Sequence, residues 1–150
     1  MNLDEKIISA LKDLNYEEAT EIQKKAIPIA LKKRDILAAA QSGTGKTAAF
    51  LLPILTEILA NKQPNKPILR ALILVPTREL ATQISKAVDD FSKYMEVESI
   101  AMVGGVSTKD QEKKIVKGLD ILVATSGRLM EHLKNGTVDL SSVTTVVIDE

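Results

Sequence analysis

Short apolar runs alternate with amphipathic stretches along most of this 150-residue chain. Five runs are rich in Ile, Val and Leu and lack polar alternation, at residues 35–40, 70–75, 97–103, 119–124 and 143–148. Such runs predict strands buried on both faces. The stretches between them have helical spacing, and strands separated by helices imply right-handed crossovers. The pattern therefore predicts an α/β fold: one domain with a doubly wound parallel sheet flanked by helices.

The segment before the first run predicts helices. Apolar residues near the N-terminus recur at helical spacing: Leu3, Ile7, Leu11 and Leu14. Thr20 to Gln23 have the form of a helix-capping box, and we expect Pro28 to divide the following stretch into two short helices. Residues 61–67 are polar and contain two prolines, which is typical of a surface loop.

Charge and cysteine content narrow the classes of function. Lys plus Arg equals Asp plus Glu at 20 each, so any nucleic-acid surface must be a local patch. The absence of cysteine excludes disulfides and thiolate metal sites, and it fits a reducing cytosol. There is no signal peptide pattern and no apolar stretch of roughly 18 residues. We therefore expect a monomeric cytoplasmic protein without a membrane span, with His132 on the surface of a helix.

The first run leads directly into a phosphate-binding pattern, Ala40-Gln41-Ser42-Gly43-Thr44-Gly45-Lys46-Thr47. A strand, a glycine-rich loop and a helix in this order form a P-loop, whose backbone N–H groups surround phosphate oxygens. Lys46 would contact the β- and γ-phosphates of ATP, and the Thr47 hydroxyl would ligate Mg²⁺. The strict pattern opens with glycine, whereas this one opens with Ala40. The alternative interpretation is a glycine-rich turn without a ligand.

The last run ends in two carboxylates, Asp149 and Glu150. A buried strand that delivers acids to the sheet edge that carries a P-loop is a Walker B arrangement. Asp149 would hold Mg²⁺ through water, and Glu150 would orient and deprotonate the attacking water, so Lys46 and Glu150 are the catalytic candidates. The alternative is that strand-end acids serve solubility.

Further motifs resemble those of one family, the DEAD-box ATP-dependent RNA helicases of superfamily 2. Pro76-Thr77-Arg78-Glu79-Leu80-Ala81 matches the family's Ia motif, and Tyr16-Glu17-Glu18-Ala19-Thr20-Glu21-Ile22-Gln23 resembles its Q motif. Ala40 opens the P-loop as it does in the family. Gly104-Gly105 and Thr125-Ser126-Gly127-Arg128 stand where the family has its GG and TPGR motifs, although Ser126 replaces the usual proline. The resemblance covers the N-terminal RecA-like domain, from the Q motif to the start of motif II.

The resemblance implies ATP and Mg²⁺ as ligands and RNA as partner. Gln23 would read the N6 and N7 atoms of adenine, with Tyr16 in the same motif. RNA would be held through its sugar-phosphate backbone by residues at the strand ends: Pro76, Thr77, Arg78, Gly104, Gly105, Thr125, Gly127 and Arg128. Structural alternatives are that Gln23 only caps a helix, that Arg78 and Arg128 pair with Glu79 and Glu131, and that Gly104-Gly105 is an ordinary turn.

Family members continue beyond motif II into a second RecA-like domain that supplies arginine fingers. We therefore expect this chain alone to hydrolyse ATP at near-background rates and to unwind nothing. Two other classes compete with the helicase interpretation. One is a non-catalytic nucleotide- or RNA-binding module, and the other is a different P-loop ATPase or a DEAH-type helicase. Gln23 and the run from Pro76 to Ala81 argue against the last.

Overall fold

The computed structural model describes residues 3–61 and 66–150, so most of the predicted loop at 61–67 lies outside the described residues. The chain divides into two compact units. The first comprises Met1–Asn61 and Ala87–Glu96, and the second comprises Lys62–Lys86 and Val97–Glu150. Within the described ranges, no helix combines the length and the apolarity that a membrane span requires.

Three helices form most of the first unit: α1 (Glu5–Asp13), α2 (Glu21–Leu31) and α3 (Lys46–Ala60). The predicted helix from Leu3 to Leu14 is confirmed by α1, which begins after Asp4, whose carboxylate accepts a hydrogen bond from the backbone N–H of Lys6 at 2.9 Å. The helices α2 and α3 pack on each other. The largest fully buried side chains of these helices are Ile7, Ile27, Leu51, Leu55 and Ile58.

The predicted break at Pro28 is wrong, because α2 continues through this residue. Proline lacks an N–H group, so the helix loses one backbone hydrogen bond there. Ala26 and Ile27 immediately before it are buried. Burial of this apolar face stabilises the helix by more than the missing bond costs, since tertiary packing provides most helix stability in proteins.

The strand predicted at residues 35–40 is also wrong. Residues 34–41 form neither strand nor helix, and residues 35–39 are exposed, with Leu37 fully so. A strand needs a neighbour for its backbone N–H and C=O groups. Among the described residues no strand pairs with this run. Its apolar composition alone therefore does not make it part of the sheet.

The second unit contains a four-stranded sheet in the order β2-β3-β1-β4. The strands are β1 (Ala71–Val75), β2 (Ser99–Met102), β3 (Ile121–Thr125) and β4 (Thr145–Ile148). The helices between them are α4 (Arg78–Phe91), α5 (Thr108–Lys117) and α6 (Ser126–Lys134), although residues 87–91 of α4 belong to the first unit. Every strand pairing is parallel, which confirms the predicted parallel α/β sheet.

Burial differs between the central and the edge strands of this sheet. Nearly every residue of β1 and β3 is buried, as predicted. The edge strands depart from the prediction, since alternate residues of β4, including Val146 and Ile148, are exposed, and burial also alternates along β2. The core of this unit is a cluster of buried side chains: Leu72, Ile100, Met102, Leu119, Leu122, Ala124, Leu129 and Val138.

A surface cluster in the first unit makes one pH dependence predictable. Lys93 donates to Asp13 Oδ2 at 2.8 Å, and the Tyr94 hydroxyl donates to the same oxygen. These hydrogen bonds, first that of Lys93 and then that of Tyr94, lower the pKa of Asp13 below its ordinary value of 3.8. A depressed carboxyl pKa stabilises the fold above the unfolded-state pKa, and this contribution is lost as the pH falls through the folded-state pKa.

We therefore expect Asp13→Asn to cost a small amount of stability at neutral pH and nothing in strong acid. Urea unfolding of both proteins between about pH 2 and pH 7 would show the difference shrinking below about pH 4. The effect is small because the pair is exposed to solvent. Asp89→Asn, on the same unit, is the control. A difference that stayed constant across the whole pH range would contradict the assignment.

Candidate functional site

The phosphate loop has the backbone shape that its glycines predict. Gly43 and Gly45 adopt φ angles of +79° and +90°, a region that other residues rarely occupy. The Thr44 hydroxyl donates to the carbonyl oxygen of Gln41 at 2.6 Å, so the loop also holds itself together. Gly45 is the N-cap of the 15-residue helix α3, which begins at Lys46. The first N–H groups of a helix have no partner inside it and favour an anion.

The charges around this helix start also suit a phosphate group. The first turn of α3 carries no acidic residue. Within the described part of the chain, Lys46 takes part in no ion pair, so its ammonium group is available to a ligand. A Cβ atom placed on Gly43 would find no atom within 4 Å. The residues present therefore fit a phosphate chain approaching the loop at Gly43 and Lys46.

Gln23 contacts both the helix that carries it and the phosphate loop. Its Oε1 accepts a hydrogen bond from the backbone N–H of Thr20 at 3.0 Å, which is half of the predicted capping box. Its Nε2 donates to the carbonyl oxygen of Gly45 at 3.1 Å. The capping role given above as the alternative is thus observed, together with a contact that the sequence did not predict. Adenine recognition by Gln23 stays a prediction.

Tyr16, the other residue assigned to the nucleotide by its motif, lies on the surface. Its side chain is 53 % exposed. Its ring centroid lies 5.8 Å from that of Phe91, with the two rings tilted by 43°. The exposed half of the ring remains accessible to a ligand, and nucleotide binding by Tyr16 stays a prediction.

The predicted RNA-binding segments follow neighbouring strands of the sheet. In register, Val75 of β1 lies opposite Thr125 of β3, and Met102 of β2 lies opposite Ala124 of β3. The residues that follow β1, β2 and β3 therefore reach the same edge, as expected for the carboxyl ends of parallel strands. The segments brought together are Pro76 to Arg78, Gly104-Gly105 and Thr125 to Arg128. Asp149 joins this edge, since its N–H donates to Leu74 O at 3.0 Å.

Two of the helices that follow these strands, α4 and α6, have a threonine just before their first residue. Leu80 N donates to the Thr77 hydroxyl at 3.2 Å, so Thr77 caps α4. Thr125 is the N-cap of α6, which begins at Ser126 and includes Gly127 in its first turn. Ser126, which stands where the family usually has a proline, is the first residue of α6.

Arg78 contacts the Gly104-Gly105 segment directly. Its Nη1 donates to Gly104 O at 3.3 Å. A Cβ atom on Gly105, whose φ is +84°, would lie 2.6 Å from the same nitrogen. Glycine is therefore needed at position 105 for the guanidinium to approach. The two glycines form a turn, which is the structural alternative given above, and RNA binding by Gly104 and Gly105 stays a prediction.

Arg128 is engaged by the protein on several sides. It forms an ion pair with Glu131 at 3.1 Å, which is the structural alternative given above. The same Nη1 donates to the Thr108 hydroxyl at 3.1 Å, and Nη2 lies 3.4 Å from Val106 O. Arg128 thus holds the segment that connects β2 to α5, and RNA binding by Arg128 stays a prediction.

Two buried polar residues near this edge were missed by sequence reasoning. His132 is fully buried, so the prediction that it lies on the surface is wrong. Its Nε2 lies 3.0 Å from Oε1 of Gln111, which is also buried. The sequence signal that could have placed His132 inside is its spacing from Leu129, since residues three apart share one helix face and Leu129 is buried.

A glycine-rich loop at a helix start, in a chain with a parallel sheet, is the arrangement of the P-loop class of α/β proteins. The sequence profile of the DEAD/DEAH box helicases matches residues 20–150. The chain belongs to this family.

Relatives and a solved structure agree with this membership. The chain is 45 % identical over its whole length to the ATP-dependent RNA helicase DeaD of Escherichia coli, of which it covers 23 %. It is equally similar to the ATP-dependent rRNA helicase RRP3 of Kluyveromyces lactis, of which it covers 30 %. The crystal structure of a hypothetical ATP-dependent RNA helicase from Sulfolobus tokodaii superposes with a TM-score of 0.88 at 35 % identity, covering 99 % of this chain and 41 % of that one. The fold is therefore that of an α/β RecA-like domain.

Proposed function

We propose that this chain is the ATP-binding part of an ATP-dependent RNA helicase. The observation that carries the proposal is the hydrogen bond from Gln23 Nε2 to Gly45 O, at 3.1 Å. It joins a side chain able to recognise adenine to the loop that holds phosphates. A phosphate-binding turn of some other kind would not need this link. Membership of the DEAD/DEAH box family and relatives named as ATP-dependent RNA helicases support the same proposal.

Nucleotide binding follows from the charges and dipoles of the loop. The phosphates of ATP lie against the backbone N–H groups of residues 43–47 and the N-terminus of α3. Lys46 binds the β- and γ-phosphates as an ammonium donor, and Ser42 and Thr44 complete the loop. The carboxamide of Gln23 can donate to N7 and accept from the N6 amino group of adenine, a pair of contacts that guanine does not offer. The amide nitrogen of Gln23 has a second hydrogen and its oxygen a second lone pair, so the contacts with adenine can add to the two hydrogen bonds that the side chain already makes.

Thr47 and Asp149 are the residues that would hold Mg²⁺. This ion keeps several waters and takes one or two carboxylates together with substrate phosphates. Such a ligand set would need only the Thr47 hydroxyl and the Asp149 carboxylate from the protein. When bound, Mg²⁺ neutralises charge on the phosphates. Glu150 orients the attacking water and accepts its proton.

RNA binding uses the carboxyl edge of the sheet. Thr77 and Arg78, the Gly104-Gly105 segment and the start of α6 offer N–H groups, hydroxyls and a guanidinium, which suit phosphate oxygens. Backbone N–H groups and hydroxyls at helix starts suit phosphate oxygens and carry no base readout, so the binding that we propose is to the sugar-phosphate backbone. Pro76 begins the turn before α4, and Arg128 contributes from α6.

Hydrolysis and unwinding are proposed for a protein of the relatives' length, of which this chain spans about a quarter to a third. In such a protein a second RecA-like domain would supply arginine fingers, a contribution of about 10³- to 10⁵-fold in related NTPases. A monomeric, cytoplasmic protein is part of the same proposal.

Calorimetric titration with ADP and with GDP in Mg²⁺ tests the nucleotide pocket. We expect ADP to bind and GDP to bind about tenfold or more weakly, because a bidentate base contact contributes about 1–3 kcal/mol of discrimination. Lys46→Ala should reduce ADP affinity by about 10- to 100-fold, since it removes a hydrogen bond to a charged group. Gln23→Ala should abolish the preference for ADP.

Matched controls separate these effects from general damage. Lys25→Ala removes another, exposed ammonium group, and Gln83→Ala removes an exposed amide, so both should bind ADP like the unchanged chain. Urea unfolding of each variant shows whether it is folded. Equal affinity for ADP and GDP in the unchanged chain would refute adenine recognition and favour a different P-loop NTPase. ADP binding without any RNA binding would favour a nucleotide-binding module.

A further inference from the structure

In the second unit, the buried polar side chains of Gln111 and His132 form a hydrogen-bonded network that reaches the residue before the Gly104-Gly105 segment. Gln111 on α5 is 3 % exposed, and its Nε2 donates to the carbonyl oxygen of Val103 at 3.0 Å. His132 on α6 is fully buried, with Nε2 at 3.0 Å from Gln111 Oε1. This network of hydrogen bonds therefore connects α6, through α5, to Val103, the residue before Gly104.

The direction of these hydrogen bonds is fixed by the chemistry of the amide. The Gln111 amide nitrogen faces a carbonyl oxygen, so its own oxygen must face His132. His132 Nε2 then carries a hydrogen and donates it. The other ring nitrogen, Nδ1, is buried and has no hydrogen-bond partner in the part of the chain that the structure describes. This arrangement leaves one polar atom unsatisfied, which is costly in a core.

Stability alone does not account for such a buried polar network. An apolar pair of similar volume could fill the same space, and replacing both partners of a buried hydrogen bond can be nearly neutral for stability. A buried polar network can instead hold one particular geometry of the groups that it joins. The geometry held here is that of the backbone where β2 ends, because the Val103 carbonyl accepts on one side and Gly104 O accepts from Arg78 at 3.3 Å.

Two successive carbonyl groups are thus fixed by side chains from different helices, Gln111 on α5 and Arg78 on α4. Farther along the same connection, Arg128 Nη1 donates to the Thr108 hydroxyl at 3.1 Å. The segment from residue 103 to residue 108 is held at both ends. Its backbone N–H groups near Gly104 and Gly105 are consequently presented in one conformation, as required for a preorganised contact with a phosphate.

We infer that Gln111 and His132 are positioning residues for RNA binding: they hold Gly104-Gly105, with Arg78, in the conformation that binds the RNA backbone. This inference rests on the proposed function, because it assigns a role within the same RNA-binding edge. Neither side chain touches RNA, since both are buried. Their loss should therefore weaken RNA binding and leave ADP binding at the phosphate loop unchanged.

The test compares RNA and ADP affinities of the 150-residue chain and its variants. Fluorescence anisotropy with a labelled single-stranded oligouridylate measures the RNA affinity, and calorimetry measures the ADP affinity. Gln111→Met and His132→Leu should weaken RNA binding about 3- to 10-fold, the range of one neutral hydrogen bond. His132→Gln, whose amide can place a donor near the position of Nε2, should change it less than about twofold. Gln83→Met, the same change at an exposed position, is the matched control.

A second measurement does not depend on RNA. The amide signals of Gly104 and Gly105 in heteronuclear NMR spectra should move in Gln111→Met and His132→Leu, whereas those of Gly43 and Gly45 should stay in place. If either variant is too unstable to study, the double variant with leucine at both positions removes both partners of the bond and serves instead. It should lose RNA affinity in the same way.

The outcomes are distinct. RNA binding by the unchanged chain, weakened in both variants and restored by His132→Gln with ADP binding intact, supports the inference. RNA binding that is equal in all folded variants overturns it and leaves the proposed function standing. A parallel loss of RNA and ADP binding also overturns it, because the residues would then act through the fold as a whole. An unchanged chain that binds no RNA refutes the RNA part of the proposed function, and the inference with it.

Discussion

Gly45→Ala should destabilise the chain far more than Gly43→Ala does, although both glycines adopt positive φ angles. Alanine at position 43 costs about 1–2 kcal/mol of backbone strain and meets no other atom within 4 Å. A Cβ at position 45 would lie 2.5 Å from Gln23 Nε2 and 2.8 Å from Thr20 Oγ1. The overlap adds to the strain, and the total is about 2–5 kcal/mol.

The nucleotide effect follows from the contacts that would be displaced. Gln23 must move away from Gly45, which breaks its hydrogen bond to the carbonyl oxygen and shifts the residue assigned to adenine. The N-terminus of α3, which is assigned to the phosphates, then moves relative to Gln23, which is assigned to adenine. We expect ADP affinity to fall by at least about tenfold, and the preference over GDP to fall with it.

Urea unfolding of the two variants beside the unchanged chain, followed by ADP titration of the folded fraction, measures both effects. The comparison with Gly43→Ala removes the contribution of backbone strain, since both variants carry it. Equal losses of stability at the two positions would mean that the contact between Gln23 and Gly45 contributes nothing. The double variant Gln23→Ala with Gly45→Ala should recover part of the stability, because it removes one of the overlapping groups.

An apolar run in this sequence does not by itself make a strand. Four of the five runs became the strands of a parallel sheet, in which each crossover helix lies where its pattern indicated. The remaining run, at residues 35–40, has a similar composition, but it has no strand beside it among the described residues. Composition reports that a segment can be buried, whereas pairing depends on a partner elsewhere in the chain.

Burial on both faces was predictable only for the strands that have neighbours on both sides. β1 and β3 occupy the middle of the order β2-β3-β1-β4, and nearly all their residues are buried. β4 has the same kind of sequence, yet Val146 and Ile148, which lie on one face of this edge strand, are exposed. A run of Val and Ile does not indicate its place in the sheet order, so the sequence could not separate these cases.

Sequence motifs predicted those parts of the candidate site whose functional residues are consecutive or nearly consecutive in the chain. The phosphate loop and the segments after β1, β2 and β3 are local in sequence, and the parallel register alone brings the three segments together. The link between Gln23 and Gly45 and that between Gln111 and His132 join residues that are 22 and 21 positions apart. Contacts of this kind depend on how helices pack, and no periodicity in the sequence encodes them.

Leu122→Ala is the second large effect that we expect. Leu122 is fully buried in β3, where it lies in register with Leu72 on one side and Ile100 on the other. Removing a buried leucine side chain in a core of this kind costs about 2–5 kcal/mol, through lost burial and the cavity that remains. Val146→Ala removes part of a 55 % exposed side chain on β4 and should cost no more than about 0.5 kcal/mol.

Urea unfolding followed by circular dichroism measures both changes at one pH, and the midpoints can be compared directly if the slopes agree. Because β3 also leads into Thr125 and the start of α6, loosening it should weaken RNA binding together with stability. Gln111→Met differs in this respect, since it should weaken RNA binding without a comparable loss of stability. If Val146→Ala were as unstable as Leu122→Ala, the main core of the second unit would have to lie on the exposed side of β4. The burial of Leu122 and its register partners argues against this outcome.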